Sequence, residues 1–213
     1  MGSRDDERDL VRRGYDALSY HYRRDDAEDG QYGPWLADLH QRLPACSSVL
    51  DVGCGCGVPV ARFLDAAGHR VTGVDISDVQ IERARRLVPG ATFLRADATE
   101  VELPPASLDA VVCLYALIHM PLGEQPRLID RIARWLRPGG WLLVTTGSDA
   151  WTGTEENWLD GGATMWWSHA DAVTYRSWLQ WAGLRITSEE LVPEGSGGHT
   201  LFRAQRPRVP HRP

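Results

Sequence analysis

The 213 residues include no lysine: all 23 basic side chains are arginine, set against 29 Asp and Glu. Schiff-base catalysis and lysine–phosphate chemistry are therefore excluded. A formal net charge of −6 repels phosphate backbones, and no basic tract offsets it, so nucleic acid is not an expected partner. Cysteine is scarce as well. The four residues Cys46, Cys54, Cys56 and Cys113 are too few and too unevenly placed for a disulfide framework, and are read as reduced. Metal binding by Cys54-x-Cys56 would need a second ligand pair, which Cys46 and Cys113 do not supply, so no metal is expected. Long apolar runs are missing too: the nearest approach, residues 108–120, is broken by Asp109 and His119, short of the roughly 20 residues that cross a bilayer. The first thirteen residues are charged and carry no apolar signal segment. A soluble, cytoplasmic protein is the expectation.

With 43% hydrophobic and 24% charged residues, the chain has the composition of a globular protein with one well-buried core. One domain is expected over residues 1–213. From residue 48 onward, strand and helix signals alternate as in a parallel sheet covered by helices. Strand 48–52 leads to a helix that starts near Pro59, where the missing N–H is tolerated, and closes at Gly68. Strand 70–74 ends in Asp75, and Ser77 is placed to cap a helix with Ile81, Ala84, Leu87 and Val88 on one face. Pro89-Gly90 stops it.

A short strand 91–95, Asp97, a proline-rich loop and a buried strand 108–114 follow. In helix 125–136, Leu128, Ile129, Ile132, Ala133 and Leu136 form one apolar stripe, which Pro138-Gly139-Gly140 terminates before strand 141–146. The tryptophan-rich stretch from residue 148 shows neither helical nor strand period and reads as an insertion or lid over 148–170. A helix over 171–182, with Gly183 after it, leads to closing strands near 184–191 and 199–206. The prolines of 206–213 predict a frayed tail. Residues 1–45 are read as a helical cap and 46–147 as a cofactor-binding core.

The most informative segment is Leu50-Asp51-Val52-Gly53-Cys54-Gly55-Cys56-Gly57, a strand running into a glycine-rich turn and then a helix. Alternate glycines permit positive φ and remove Cβ atoms where a ligand must touch the backbone. The bare alternative is a tight turn with no ligand. A carboxylate at Asp51, together with G-x-G-x-G in place of G-x-G-x-x-G, disfavours a pyrophosphate and suits a cationic ligand. Asp51, Asp75 and Asp97 then fall at the carboxyl ends of successive predicted strands, the edge where open α/β sheets bind ligands.

This segment resembles motif I of the class I S-adenosylmethionine-dependent methyltransferases. Gly73-Val74-Asp75-Ile76-Ser77 is similar to the motif whose acidic residue meets the ribose hydroxyls, and Asp97-Ala98 to the pair at the adenine. Leu136-Arg137-Pro138-Gly139-Gly140 resembles the turn before the fifth strand. The resemblance runs over about residues 10–206. It implies a Rossmann-like, doubly wound α/β fold with a seven-stranded sheet, parallel except for a reversed last strand, and helices on both faces. By the same resemblance the cofactor is S-adenosyl-L-methionine, with S-adenosyl-L-homocysteine as product. Its expected contacts are Tyr15, Tyr22, Asp51, Gly53, Gly55, Asp75, Ile76, Asp97, Ala98 and Leu114. Tyr15 and Tyr22 belong to a segment that resembles the N-terminal helix folded over the cofactor; seven apart, they share one helix face.

Methyl transfer is an in-line displacement in which the protein mainly holds the partners in line and excludes water. A base is optional, and useful for a phenol or alcohol. His119 and His169 are the candidate bases, with His199 a third histidine; the bland alternatives are that His119 pins the loop after the fourth strand and that His169 turns the chain into the last helix. Tyr20, Trp35, Tyr115, His119, Trp158 and Trp166 are the candidate acceptor contacts, although packing explains several equally well. Aromatic walls suit a flat apolar molecule or a cationic amine. The expected activity is methylation of an O or N atom of a small aromatic or amine-bearing metabolite, by analogy a natural-product tailoring step, by a monomer or homodimer. The competing readings are a module that binds the cofactor without transferring methyl, and an NAD-dependent oxidoreductase. The absence of lysine and the place of Asp51 speak against the second. An RNA or protein methyltransferase would show a basic tract or an Asn/Asp-Pro-Pro-aromatic motif, where Ile118-His119-Met120-Pro121 stands instead.

Overall fold

The computed structural model describes residues 4–194 and 197–208. Seven strands form one sheet: β1 (Ser48–Val52), β2 (Arg70–Asp75), β3 (Thr92–Arg95), β4 (Leu108–Cys113), β5 (Leu136–Gly147), and, later in the chain, β8 (Arg185–Glu194) and β9 (Gly197–Gln205). Their order is β3-β2-β1-β4-β5-β9-β8. β1 to β5 pair in parallel, while β9 runs antiparallel to both β5 and β8. The sheet is the seven-stranded, mostly parallel Rossmann-like one expected, and the reversed strand is the last in the chain.

Strand alternation sorts the core into two layers. Leu50, Val52, Val111 and Cys113 face α5 (Gln125–Trp135) and α6 (Ala172–Trp181). Val49, Val71, Ala110 and Val112 face α2 (Tyr32–Arg42), α3 (Val60–Ala66) and α4 (Asp78–Leu87). Burial on both faces is why these strands read as nearly continuous apolar runs. Ser77 caps α4 by accepting from the Gln80 N–H, and Asp171 caps α6 by accepting from Thr174. Strand order reverses between β1 and β4, which opens a crevice at their carboxyl ends.

The tryptophan-rich stretch, whose sequence shows neither helical nor strand period, has regular structure. It is an antiparallel hairpin, β6 (Trp151–Trp158) and β7 (Ala163–His169), separate from the main sheet. Its period was hidden because β6 is almost wholly exposed while β7, packed between α1 (Arg4–Tyr22) and the turn at Leu117–His119, is covered on both faces. β5 also begins earlier than its apolar run, at Leu136, which pairs with Leu108 ahead of a register shift. Of the expected frayed tail, residues 209–213 lie outside the described residues, and 206–208 have left the strand.

Candidate functional site

Four strand ends converge on one cavity. β1 supplies the glycine turn. Gly53 has φ +68°, and a Cβ on it would lie 2.2 Å from the Ala116 Cβ, so only glycine allows the β1 and β4 loops to approach this closely. β2 supplies Asp75, whose two carboxylate oxygens accept from the Gly55 N–H at 2.8 Å and the Ser77 N–H at 2.9 Å. Burial raises the Asp75 pKa, and those backbone donors oppose the rise. β3 supplies Asp97, which accepts from the backbone and hydroxyl of Thr99 and pairs at 2.7 Å with Arg8.

Arg8 belongs to α1 and also reaches Glu124 at 2.5 Å, so α1 is latched across the β3 and β4 ends of the cavity. Tyr15 and Tyr22 of α1 complete the roof, their rings edge to face with centroids 5.4 Å apart. Of the residues expected at the cofactor, Tyr15, Tyr22, Gly53, Gly55 and Asp75 line this cavity, as do Ile76, Asp97, Ala98 and Leu114. Asp51 does not. It lines a smaller neighbouring cavity with Tyr22, Arg23, Gly53, Gly55 and Leu114. Asp51 is 2% exposed, and its Oδ2 has no hydrogen-bond partner among the described residues. Burial and the neighbouring Asp75 push its pKa up to about 8.

A second cavity adjoins the first and shares Tyr15, Tyr22, Tyr115 and His119 with it. Its other walls come from Arg23 and Tyr32, from Trp158 and Trp167 of the hairpin, and from Glu194 and His199 of β8 and β9. At the shared wall the Tyr15 hydroxyl lies 3.0 Å from His119 Nε2, and His119 Nδ1 lies 2.8 Å from the Trp166 carbonyl oxygen. A carbonyl can only accept, so Nδ1 carries the proton and Nε2 accepts from Tyr15. Burial lowers the His119 pKa to about 4, which keeps the ring neutral, and burial raises that of Tyr15.

Several expected contacts lie elsewhere. Tyr20 is 58% exposed under the Arg83 guanidinium and lines neither cavity, because its place on α1 turns it away from the Tyr15–Tyr22 face. Trp35 is buried in the α2–α3 layer; its neighbour Tyr32 is the one that reaches the second cavity. Trp166 contributes its carbonyl to His119 while its indole packs into the cluster under α1. Adjacent strand residues face opposite ways, so Trp167 is the member of the pair that faces the cavity. His169 is outside both cavities and accepts no acid–base role from its position, its Nδ1 lying 2.7 Å from the Asp149 carbonyl oxygen. Arg8, Arg23 and Tyr32 were not singled out in the sequence. The run Tyr22-Arg23 at the end of an amphipathic helix was the one available signal for Arg23. No group of three metal-ligating side chains occurs among the described residues.

A glycine turn, two strand-end carboxylates and an aromatic roof over the crevice of a doubly wound sheet define an α/β protein built to hold a nucleoside-like cofactor. Residues 49–140 match the family model described as a methyltransferase domain. The 27-O-demethylrifamycin SV methyltransferase of Amycolatopsis mediterranei is 42% identical over 108 residues, 48% of this chain and 39% of that one. Methyltransferase GfsG of Streptomyces halstedii is 31% identical over 174 residues, 74% of this chain and 62% of that one. The chain thus spans less than two thirds of either relative's length. Among solved structures, the Burkholderia thailandensis 1,6-didemethyltoxoflavin-N1-methyltransferase, bound to 1,6-didemethyltoxoflavin and S-adenosylhomocysteine, superposes with a TM-score of 0.73. The match covers 97% of this chain and 92% of that one at 21% identity, and shows that the two share a fold.

Proposed function

We propose that the chain transfers a methyl group from S-adenosylmethionine to a small, flat acceptor molecule. The observation that carries this reading is the contact of two cavities across one wall of Tyr15, Tyr22, Tyr115 and His119. The residues fit the cofactor. Asp51 keeps a buried oxygen unpartnered beside the glycine turn, as an ammonium group would require. Asp75 and Asp97 stand at the strand ends where ribose and base would lie, and the cofactor supplies an electrophilic methyl on sulfonium sulfur.

The chain's own part is to bind, orient and exclude water. The aromatic cluster of Tyr15, Tyr22, Trp158 and Trp167 surrounds the shared wall, and the faces of such rings favour a nearby cation. An acceptor hydroxyl resting on Tyr15 can pass its proton to the Tyr15 oxygen while Tyr15 gives its own to His119 Nε2. His119 therefore acts behind Tyr15. The names of two similar proteins, one specifying 27-O-demethylrifamycin SV and the other 1,6-didemethyltoxoflavin, support a small-molecule acceptor in specialised metabolism. The net charge of −6 supports an acceptor other than nucleic acid. No helix among the described residues is long and apolar enough to cross a membrane.

The test is calorimetric titration of S-adenosylhomocysteine into the native chain and Asp75→Ala, followed by mass spectrometry of candidate acceptors incubated with S-adenosylmethionine. Micromolar binding that weakens at least tenfold in the variant, with acceptor-dependent appearance of S-adenosylhomocysteine, is expected. Binding without any turnover would leave a cofactor-binding module, and absence of binding by the folded chain would sink the reading.

A further inference from the structure

Resting on that reading, the second cavity also states what kind of acceptor it takes. Its walls are aromatic: Tyr32 and Tyr115 lie 5.9 Å apart between ring centroids on one side, and Trp158 and Trp167 lie 6.4 Å apart on the other. Most of its polar groups are already satisfied within the chain. Asp29 pairs with Arg62 at 2.8 Å, and Glu194 pairs with His199 at 2.9 Å. Gln31 donates to the Tyr115 hydroxyl at 2.9 Å, and Tyr15 and His119 bond to each other.

Three buried side-chain nitrogens lining the cavity have no hydrogen-bond partner among the described residues: Arg23 Nε and Trp167 Nε1, which only donate, and His199 Nδ1, which accepts in the neutral ring whose Nε2 donates to Glu194. Arg23 has no carboxylate partner among the described residues; its guanidinium rests on the Tyr22 and Tyr32 rings, 5.7 and 5.0 Å from their centroids. Two of the three donate and one of these is cationic, the carboxylates are engaged, and His199 Nδ1 is left to accept from a ligand hydroxyl. A ligand amine would leave both donors unsatisfied, whereas a ligand oxygen satisfies them, and an anionic one also answers the guanidinium charge.

We infer that the acceptor is a planar molecule bearing an anionic oxygen group, of the hydroxyaryl carboxylate or acidic enol class, anchored by Arg23 and Trp167 with its reacting atom turned to Tyr15. These two residues select the acceptor. They narrow the aromatic-or-amine class expected from the tryptophans alone to the anionic aromatic one.

The experiment measures binding of 1-hydroxy-2-naphthoate and of 1-naphthylmethylammonium to the chain saturated with S-adenosylhomocysteine, by quenching of tryptophan fluorescence. The naphthoate is expected to bind at least tenfold more tightly than the ammonium probe. Arg23→Gln and Trp167→Phe are each expected to weaken naphthoate about tenfold while the melting temperature, which reports folding, changes little. Equal or tighter binding of the ammonium probe overturns the inference, as does failure of both probes in a chain that holds S-adenosylhomocysteine. Arg23 also borders the cavity of Asp51. A tenfold loss of S-adenosylhomocysteine in Arg23→Gln, with naphthoate binding retained at saturation, would assign the guanidinium to the cofactor's carboxylate and overturn it as well. If the native chain fails to bind S-adenosylhomocysteine, the methyltransferase reading falls first.

Discussion

Replacing Asp51 with Asn tests the chemistry beneath the glycine turn directly. In the ligand-free chain the Asp51 carboxyl is buried, unpartnered at Oδ2 and raised to about 8, so at pH 7 it is roughly 90% protonated. An ammonium group placed beside it ionises it, and the proton leaves. Binding of S-adenosylhomocysteine at pH 7 should release about 0.9 proton per site. Titrations in phosphate and in Tris, whose ionisation enthalpies differ widely, read that number from the difference in observed heat. The Asn variant should release none and should bind about 2–5 kcal/mol more weakly, roughly 30-fold to several thousand-fold, because a buried charge loses its partner. The same carboxyl makes stability depend on pH. A carboxyl whose folded pKa lies above its unfolded value of 3.8 weakens the fold as pH rises from about 4 to about 8. The melting-temperature advantage of Asp51→Asn without ligand should therefore grow across that window and level off above it. Equal heats in the two buffers at pH 7, or unchanged affinity in the variant, would refute the reasoning.

Three further outcomes follow from the same geometry. Gly53→Ala brings a Cβ to 2.2 Å from Ala116 at φ +68°, and should cost about 2–5 kcal/mol in urea denaturation from backbone strain and overpacking together. His119 is buried and lowered to about 4. Its neutral form therefore supports the fold above pH 6.5, and about 3 kcal/mol of that support is lost as pH falls from 6.5 towards 4; the acid limb of a stability–pH curve should flatten in His119→Gln. Tyr15→Phe keeps the ring but removes the hydroxyl on His119 Nε2. The kcat for a hydroxyl acceptor should fall roughly 100-fold, with KM for the cofactor little changed and the deficit closing as pH approaches the acceptor's own pKa.

The sheet was legible because its signals are local. Apolar runs bounded by Gly and Pro placed β1 at residues 48–52, and Ser77 announced the α4 cap three residues before Gln80 received it. The glycine turn and the acidic residues at successive strand ends were readable for the same reason, since each is imposed by backbone geometry next to it. What failed needed knowledge of neighbours. The hairpin lost its alternation because α1 and the Leu117–His119 turn cover β7 from opposite sides. Tyr20 and Tyr22 differ by 200° around a helix, yet composition treats them alike, and nothing local distinguishes Trp166 from Trp167. The Tyr15–His119 bond joins residues 104 apart and depends on where α1 comes to rest.

α1 and the hairpin share an apolar cluster of their own, in which Val11 and Leu18 meet Trp158, Met165 and Trp166, apart from the two layers that hold the sheet. Away from the points where α1 and β7 touch the scaffold, at Asp97, Glu124 and the Leu117–His119 turn, substitutions there and substitutions in the sheet core should add nearly independently. The surface that touches the acceptor can therefore accumulate change without eroding the scaffold beneath it. Grafting a different hairpin between β5 and α6, together with a matching α1, becomes a practical route to a new acceptor range on an unaltered sheet.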